Sequence, residues 1–257
     1  MGTFLFDKTI FGPISSRRFG DSLGINLLPN DYKLCNLDCV YCECGWTLTP
    51  DKKVELPTYD EVAEEFENYL IKIKSEGVNV DSFTFAGNGE PTVHPDFPRI
   101  IDLTLQLRDK YYPKANVSVL SNGLLINKAG IREALHKVDL PVLKLDAGTD
   151  KTYHLIDRPK TKRTLKYLAE HYSKLAGKVV IQTLFLRGEY KGEKFDNTTE
   201  EEVSAWIDLV KEINPSDVMI YSLERDTPTD KLETISHKKL EEISERLQKE
   251  GVKASVY

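Results

Sequence analysis

Cysteines are few in this sequence, and they are not spread along the chain. Of its 257 residues only four are cysteines, and all of them lie between Cys35 and Cys44. A disulfide framework usually distributes its bridges over a small secreted chain, so this arrangement does not favour one. Cysteines gathered within one short segment instead indicate a metal or redox site in a reducing compartment.

Long apolar runs and targeting signals are also missing. No run approaches the roughly 20 apolar residues that a membrane-spanning helix needs, and Asp7 and Lys8 come too early for the apolar core of a signal peptide. There is no tandem repeat and no low-complexity tract. We therefore expect a cytoplasmic globular protein without a membrane partner.

An excess of positive charge is absent as well. Lysine and arginine number 35 against 41 aspartates and glutamates, which gives a net charge of −6. The overall field does not favour nucleic acid, although a local basic patch could bind one. Two basic segments exist, at residues 15–18 and 158–163. Each suits either an anionic partner or a solvated surface.

What the sequence does contain is a strand-like run followed by a helix-like run, six times over. Several of the strand-like runs are short, apolar and rich in β-branched residues, as in buried parallel strands. The predicted strands are Leu23–Leu28, Ser82–Ala86, Asn116–Leu120, Val142–Asp146, Val179–Phe185 and Asp217–Tyr221. The predicted helices are Thr58–Ser75, Asp96–Lys110, Lys128–His136, Thr161–Leu175, Thr199–Ile213 and Ser236–Lys249.

This alternation predicts an α/β fold with a parallel sheet and right-handed crossovers. A closed barrel needs eight units, so six units predict a partial (β/α)6 barrel, open on one side, in a single domain of residues 1–257. Residues 1–22 would form a short N-terminal extension, and residues 251–257 could add an edge strand. An open doubly wound sheet is the second possibility. Both folds place active-site residues at the C-terminal ends of strands.

Two of the predicted helices begin with a capping-box pattern. Thr58 is followed three residues later by Glu61, and Thr199 by Glu202. In such a box the hydroxyl and the carboxylate each accept a hydrogen bond from the other residue's backbone N–H. The pattern therefore predicts where both helices start.

The cysteines follow the first predicted strand. Cys35, Cys39 and Cys42 have the spacing Cys-x3-Cys-x2-Cys. Iron–sulfur clusters usually take four thiolates, so three would leave one iron open for chemistry. A zinc ribbon would need a second, distant cysteine pair, which the sequence lacks. Structural cysteines, a zinc site and an electron-transfer centre remain alternatives. Cys44 suits a small buried side chain, an extra ligand or a reactive thiol.

Polar loops follow the second and third predicted strands. In Gly87–Pro91, backbone carbonyls together with the Glu90 carboxylate would suit an ammonium group, although a simple turn fits equally. Ser121 and Asn122 come next, and such short side chains can bind sugar hydroxyls or form a plain turn.

Charged residues mark the later strands. Lys144 and Asp146 lie two residues apart on the fourth strand, so their side chains face the same side. They would form either a polar binding site or an internal ion pair without a ligand. Arg187, after the fifth strand, could grip a carboxylate, and Gln182 and Arg225 lie near strand ends too. Surface salt bridges explain these arginines equally well.

The cysteine segment resembles the radical S-adenosylmethionine superfamily. Its signature is Cys-x3-Cys-x-aromatic-Cys, which Cys35, Cys39, Tyr41 and Cys42 match. The resemblance implies that the three cysteines hold a [4Fe–4S] cluster, that S-adenosylmethionine is the second cofactor, and that Tyr41 packs near its adenine. The superfamily fold is a partial (β/α)6 barrel.

The same resemblance implies further contacts to S-adenosylmethionine. Asn88-Gly89-Glu90 stands where the superfamily has Gly-Gly-Glu, which holds the methionine amino group. Ser121 and Asn122 stand where ribose contacts often arise. Lys144 and Asp146 lie on the strand that supplies ribose or carboxylate contacts.

The function implied is reductive cleavage of S-adenosylmethionine to a 5′-deoxyadenosyl radical, which abstracts hydrogen from a substrate. A low-potential donor, flavodoxin or ferredoxin, would be a partner. The segment Gly12–Arg18 and the loops above look similar to the wyosine-forming tRNA enzymes, without the additional cysteines for a second cluster. RNA and protein both stay open as substrate. A glycyl-radical activase and a [4Fe–4S] electron carrier with Cys44 as fourth ligand are the alternatives.

Overall fold

The computed structural model describes residues 4–47 and 54–257, which form two sheets and a set of helices. In chain order the strands are β1 (Ile10–Ser16), β2 (Gly20–Ile25), β3 (Ser82–Phe85), β4 (Asn116–Ser121), β5 (Leu140–Lys144), β6 (Val180–Leu184), β7 (Leu186–Tyr190), β8 (Glu193–Asp196), β9 (Asp217–Tyr221), β10 (Leu232–Thr234) and β11 (Ala254–Val256). The α-helices are α1 (Tyr59–Ser75), α2 (Phe97–Tyr111), α3 (Ala129–Lys137), α4 (Asp150–Ile156), α5 (Leu165–Tyr172), α6 (Glu200–Ile213) and α7 (His237–Lys249).

The main sheet has eight strands in the order β1-β2-β3-β4-β5-β6-β9-β11. From β2 onwards all neighbouring strands are parallel, and at least one helix connects each strand to the next. These are the six predicted units, with the predicted edge strand as β11. Among the described residues β1 pairs only with β2 and β11 only with β9, so the sheet does not close. The predicted partial barrel is confirmed.

The two faces of the sheet differ in polarity, because side chains alternate along a strand. On β3, Phe83 and Phe85 are fully buried in the main hydrophobic core. The alternate residues carry hydroxyls that bond to one another: Ser22 Oγ lies 2.7 Å from Thr84 Oγ1, which lies 3.1 Å from Ser82 Oγ. The other face of the first strands is therefore polar.

One predicted capping box forms completely and the other only in part. At α1 the Thr58 N–H donates to Glu61 Oε2 at 2.7 Å, and the Glu61 N–H donates to Thr58 Oγ1 at 3.3 Å. At α6 Thr199 accepts from the Glu202 N–H at 3.3 Å, but the Glu202 carboxylate accepts from the Gly148 N–H at 2.8 Å. Glu202 thus serves the loop before α4 instead of its own helix.

The prediction for the N-terminal region needs correction. Within the extension predicted for residues 1–22, β1 forms an antiparallel pair with β2, while residues 1–3 lie outside the described part of the chain. The first predicted strand, Leu23–Leu28, instead starts at Gly20 and ends at Ile25. The chain turns at Asn26, whose side-chain oxygen accepts from the Leu28 N–H at 3.2 Å. Leu27 and Leu28 are buried in the loop after the strand, so their apolar side chains do not indicate strand structure.

Other elements were misplaced or missed. The predicted helix Thr161–Leu175 is too long, because Thr164 caps α5 by accepting from the Tyr167 N–H at 3.2 Å. The short helix α4 and the small sheet of β10, β7 and β8 were not predicted, since their short, charged segments lack a clear apolar period. Within the described residues, no helix has the length and apolar composition that crossing a membrane requires.

Candidate active site

The cysteine loop, between β2 and α1, is fastened to the loop that follows β3. The Leu34 N–H donates to the Asn88 carbonyl at 2.9 Å, and the Glu90 N–H donates to the Leu34 carbonyl at 3.1 Å. Gly89 between them has φ +139°, and a Cβ there would lie 1.9 Å from the Leu34 oxygen. Only glycine permits this close approach. The first two candidate loops therefore form one unit.

The thiols of this unit differ in acidity. All cysteines are free; Cys39 is buried, and Cys35 and Cys42 are half-buried. Burial raises the pKa of Cys35 to about 11 and that of Cys39 well above its usual value. A hydrogen bond with the Cys44 thiol lowers the pKa of Cys42 to about 6. The loop thus offers a ready thiolate at Cys42, and Cys35 and Cys39 would release protons on binding a metal.

A buried lysine, to which sequence reasoning gave no role, lies beside the cysteines. Lys33 Nζ donates to the Gly45 carbonyl at 3.0 Å and lies 3.8 Å from Asp38 Oδ1. Burial alone would lower the pKa of Lys33, but the negative charge of the Cys42 thiolate beside it raises that pKa above its ordinary value. Lys33 is therefore a fixed cation at this loop. Its place two residues before the first cysteine is the only signal in the sequence.

The donor set fits an iron–sulfur cluster by its chemistry. Among the described residues, no three metal-ligating side chains already stand in the arrangement of a bound ion. Three free cysteines on one short loop, with a buried cation beside them, nevertheless provide the thiolate ligands that such clusters take. The residues present therefore suit the cluster.

Glu90 connects the ends of β3 and β4. Its Oε1 accepts from the Thr92 N–H at 3.1 Å and from the Ser121 hydroxyl at 2.7 Å, and its Oε2 accepts from the Asn122 N–H at 2.7 Å. Burial raises the pKa of Glu90, and these donors oppose the rise. Oε2 accepts a single bond here, so it keeps a lone pair for a further donor.

Two asparagines extend the connection in different directions. Asn122 Nδ2 donates to Asn36 Oδ1 at 2.6 Å and lies 3.6 Å from Cys35 Sγ, which joins the third loop to the cysteines. The Asn88 side chain instead accepts from the Phe6 N–H and donates to the Phe6 carbonyl, both at 2.8 Å. Asn88 therefore uses its side chain to hold the N-terminal segment.

Tyr41, Lys144 and Asp146 form a separate polar cluster. Lys144 Nζ lies 2.6 Å from Asp146 Oδ2, and the Tyr41 hydroxyl contacts both groups. Burial works against the Lys144 ammonium, but the carboxylates of Asp146 and Asp157 raise its pKa well above the usual value. The expected ion pair is thus present and buried, with the signature tyrosine on it. The strand bounds were wrong, because β5 ends at Lys144 and Asp146 lies two residues beyond it.

Residues 30–201 match the family model described as the radical SAM superfamily. The chain belongs to the radical SAM superfamily. It is 32% identical over 241 residues to the "GTPase Obg" of Brachyspira hyodysenteriae, covering 91% of this chain and 32% of that protein. It is 30% identical over 215 residues to the UPF0026 protein MJ1312 of Methanocaldococcus jannaschii, covering 80% of this chain and 60% of that protein. The chain thus spans less than two thirds of these relatives' length.

A solved structure agrees with the fold of this radical SAM chain. Streptococcus suis SuiB bound to S-adenosylmethionine superposes with a TM-score of 0.62 at 19% identity, over 91% of this chain and 50% of that one. Radical SAM proteins are enzymes that bind S-adenosylmethionine and carry a [4Fe–4S] cluster, and they need a reductant and a substrate. The family and both predicted cofactors are confirmed.

Sequence reasoning missed a second acidic group in this radical SAM site. Asp157 is fully buried, 3.5 Å from Lys144 Nζ, and neither of its oxygens has a hydrogen-bond partner among the described residues. Burial raises the pKa of Asp157 to about 7, although Lys144 opposes the rise. Its sequence setting, directly before Arg158, suggests a surface residue, so no local pattern could have found it.

The structure does not bring the predicted arginine to this cluster. Arg187 lies on β7 in the small sheet, 51% exposed, and its Nε is 2.8 Å from Glu233 Oε2. Arg225 likewise pairs with Glu43 at 2.5 Å. Gln182 accepts from the Arg18 guanidinium at 3.1 Å. For Arg187, the surface salt bridge is the reading that the contacts support, and a cofactor role stays a prediction.

Proposed function

We propose that Cys35, Cys39 and Cys42 of this chain hold a [4Fe–4S] cluster for reductive cleavage of S-adenosylmethionine, and that residues 1–257 act as one catalytic domain. The observation that carries the proposal is the chain of contacts from the cysteine loop through Glu90 to Asn122 and back to Asn36. A bound cluster would supply one electron for cleavage of the sulfonium's S–C5′ bond, which would give methionine and a 5′-deoxyadenosyl radical able to remove hydrogen from the substrate.

The protein's part is to bind and orient the cofactor. Gly89, through its backbone, and Glu90 Oε2 are proposed to receive the methionine ammonium, because that oxygen has a lone pair to spare. Ser121 and Asn122, at the neighbouring strand end, are proposed to bind the ribose hydroxyls. The Asn88 side chain supports this group indirectly, since it is committed to Phe6.

The Lys144 cluster is proposed to serve the remaining polar groups of the cofactor. Lys144 stays cationic, so it suits the methionine carboxylate, while Asp146 suits a ribose hydroxyl. Tyr41 contacts both and would flank the adenine. These assignments place all contacts at successive C-terminal strand ends, where ligands bind in α/β folds.

The substrate and partners follow from the same site. The open side of the sheet leaves room for a large substrate, and we propose RNA or a protein modified by hydrogen abstraction. A low-potential flavodoxin or ferredoxin is the proposed electron donor. The reducing compartment that thiolate ligands require makes the cytoplasm the proposed location.

The proposal is tested with anaerobically reconstituted protein. Wild-type chain with dithionite and S-adenosylmethionine should hold about four irons and release 5′-deoxyadenosine. Cys39→Ala should lose both, whereas Cys44→Ser should keep both. Release of 5′-deoxyadenosine by Cys39→Ala would refute the ligand assignment.

The same variants separate the alternatives. An electron carrier with Cys44 as fourth ligand would lose its cluster in Cys44→Ser and would never cleave S-adenosylmethionine. A glycyl-radical activase would give a radical signal by electron paramagnetic resonance only when a partner protein is added. The substrate is the molecule in deuterium-labelled extracts that transfers its label to 5′-deoxyadenosine.

A further inference from the structure

A basic segment is attached directly along the outer side of the cysteine loop. Residues 158–163 carry the positive charges of Arg158, Lys160, Lys162 and Arg163 and no acidic residue, in a chain whose net charge is −6. Lys160 and Lys162 are exposed, and among the described residues neither side chain has an ion-pair or hydrogen-bond partner. Cations that no residue of the chain neutralises are free to pair with an acidic partner.

Backbone hydrogen bonds hold this segment, and the residues just before it, against the cysteine loop. The Asp38 N–H donates to the Asp157 carbonyl at 3.1 Å, and the Val40 N–H donates to the Ile156 carbonyl at 2.9 Å. The Lys160 N–H donates to the Asn36 carbonyl at 3.1 Å. Asn36 and Asp38 are the chain neighbours of two proposed ligands, Cys35 and Cys39, so a partner on this surface would stand over the cysteine loop.

Arg158 fixes the position of the surface. Its guanidinium lies 3.4 Å from Asp38 Oδ2 and stacks over the rings of Trp46, at 5.1 Å, and Tyr190, at 4.5 Å. Lys191 Nζ lies 5.4 Å from the centre of the same Tyr190 ring. Because the Arg158 guanidinium already stacks on a face of each ring, that face is not open to bases, which favours a protein partner over RNA.

We propose that this surface, Arg158, Lys160, Lys162 and Lys191, is the docking site of an acidic electron-transfer protein. The inference rests on the proposed function, because it needs a cluster to reduce. In each encounter the donor loses one electron and the cluster gains it, with no bond made or broken. Charge complementarity would steer the encounter, and the short distance to the cysteine loop would allow the transfer.

The test compares two reductants on two variants of the reconstituted full chain. Lys160→Glu with Lys162→Glu reverses the surface, and Lys238→Glu with Lys249→Glu makes the same change in net charge on α7, where both lysines are exposed. The rate of cluster reduction is measured from the decrease in visible absorbance. One reductant is flavodoxin hydroquinone, an acidic protein, and the other is the neutral radical of photoreduced 5-deazariboflavin.

We expect flavodoxin to reduce the surface variant at least tenfold more slowly than wild type at low ionic strength, with the difference shrinking as salt is added. Deazariboflavin should reduce all proteins equally, and the α7 variant should match wild type with both reductants. An unchanged flavodoxin rate in the surface variant would overturn the proposal, and the more so if that variant lost affinity for bulk tRNA. Failure of both reductants on wild type would instead refute the cluster assignment.

Discussion

The carboxylate of Glu90 accepts a hydrogen bond from the backbone N–H of Asn122 at 2.7 Å, which joins the ends of two neighbouring strands. The hydroxyls of Thr92 and Ser121 donate to the same carboxylate. A buried acceptor surrounded by donors is sensitive to any change that places a donor in the same position. The site and the local fold therefore depend on the same charge.

Replacing Glu90 with Gln puts an NH2 group among these donors and removes the charge proposed for the methionine ammonium. We expect the Kd for S-adenosylmethionine to rise at least tenfold and the free energy of unfolding to fall by about 1–3 kcal/mol. Isothermal titration of the reconstituted protein and urea unfolding measure the two effects. Thr92→Val, which removes one donor and keeps the carboxylate, should lower stability alone. Normal cofactor affinity in Glu90→Gln would contradict the assignment.

Gly89 should be indispensable for iron binding. In Gly89→Ala the new Cβ would overlap the Leu34 carbonyl oxygen, because the backbone there has φ +139°. The two loops would separate, and we expect reconstituted protein to hold fewer than one iron per chain in place of about four. Gly77→Ala is the matched control: it also has a positive φ, +72°, but nothing lies within 4 Å of its Cβ. That variant should keep its iron and lose only about 1 kcal/mol of stability.

Asn88 occupies a position where the superfamily has glycine, and its role can be separated from that of its neighbours. Asn88→Gly removes the two bonds to Phe6 and one to the Pro29 carbonyl at 2.8 Å. We expect the free energy of unfolding to fall by about 2 kcal/mol and the N-terminal segment to become protease-sensitive. Affinity for S-adenosylmethionine should change less than twofold. A large loss of affinity with an intact N-terminal segment would mean that Asn88 contacts the cofactor.

The parts of this fold that sequence could predict are those set by local patterns. Six apolar strand runs and their intervening helices were readable, and so were loops with Cys35, Glu90 and Asn122 at strand ends. Lys33 and Asp157 were not readable, because their burial depends on loops distant in sequence that fold over them. Glu202 shows the same limit: its spacing fits a capping box, yet a loop about fifty residues away takes the carboxylate.

The buried charges around Lys144 are unequal, since one ammonium faces two carboxylates. Asp146 is anchored, because its Oδ1 accepts from the Leu184 N–H at 2.9 Å while its Oδ2 pairs with Lys144. Asp157 lies farther from Lys144, at 3.5 Å, and has no hydrogen-bond partner within the described chain. A buried carboxylate without donors costs free energy unless a ligand supplies them.

Substitution of the two aspartates should therefore have opposite effects on the chain purified without iron. Asp157→Asn removes a poorly compensated charge, so we expect the free energy of unfolding to rise by about 1 kcal/mol. Asp146→Asn weakens the closer ion pair and leaves Lys144 with only the distant carboxylate, so we expect a fall of about 2 kcal/mol. Urea unfolding at one fixed pH above 7, where Asp157 with its pKa of about 7 is ionised, compares both variants with wild type. If Asp157→Asn destabilised the chain as much as Asp146→Asn, the second carboxylate would be an equal partner of Lys144, and the imbalance inferred from the contacts would be wrong.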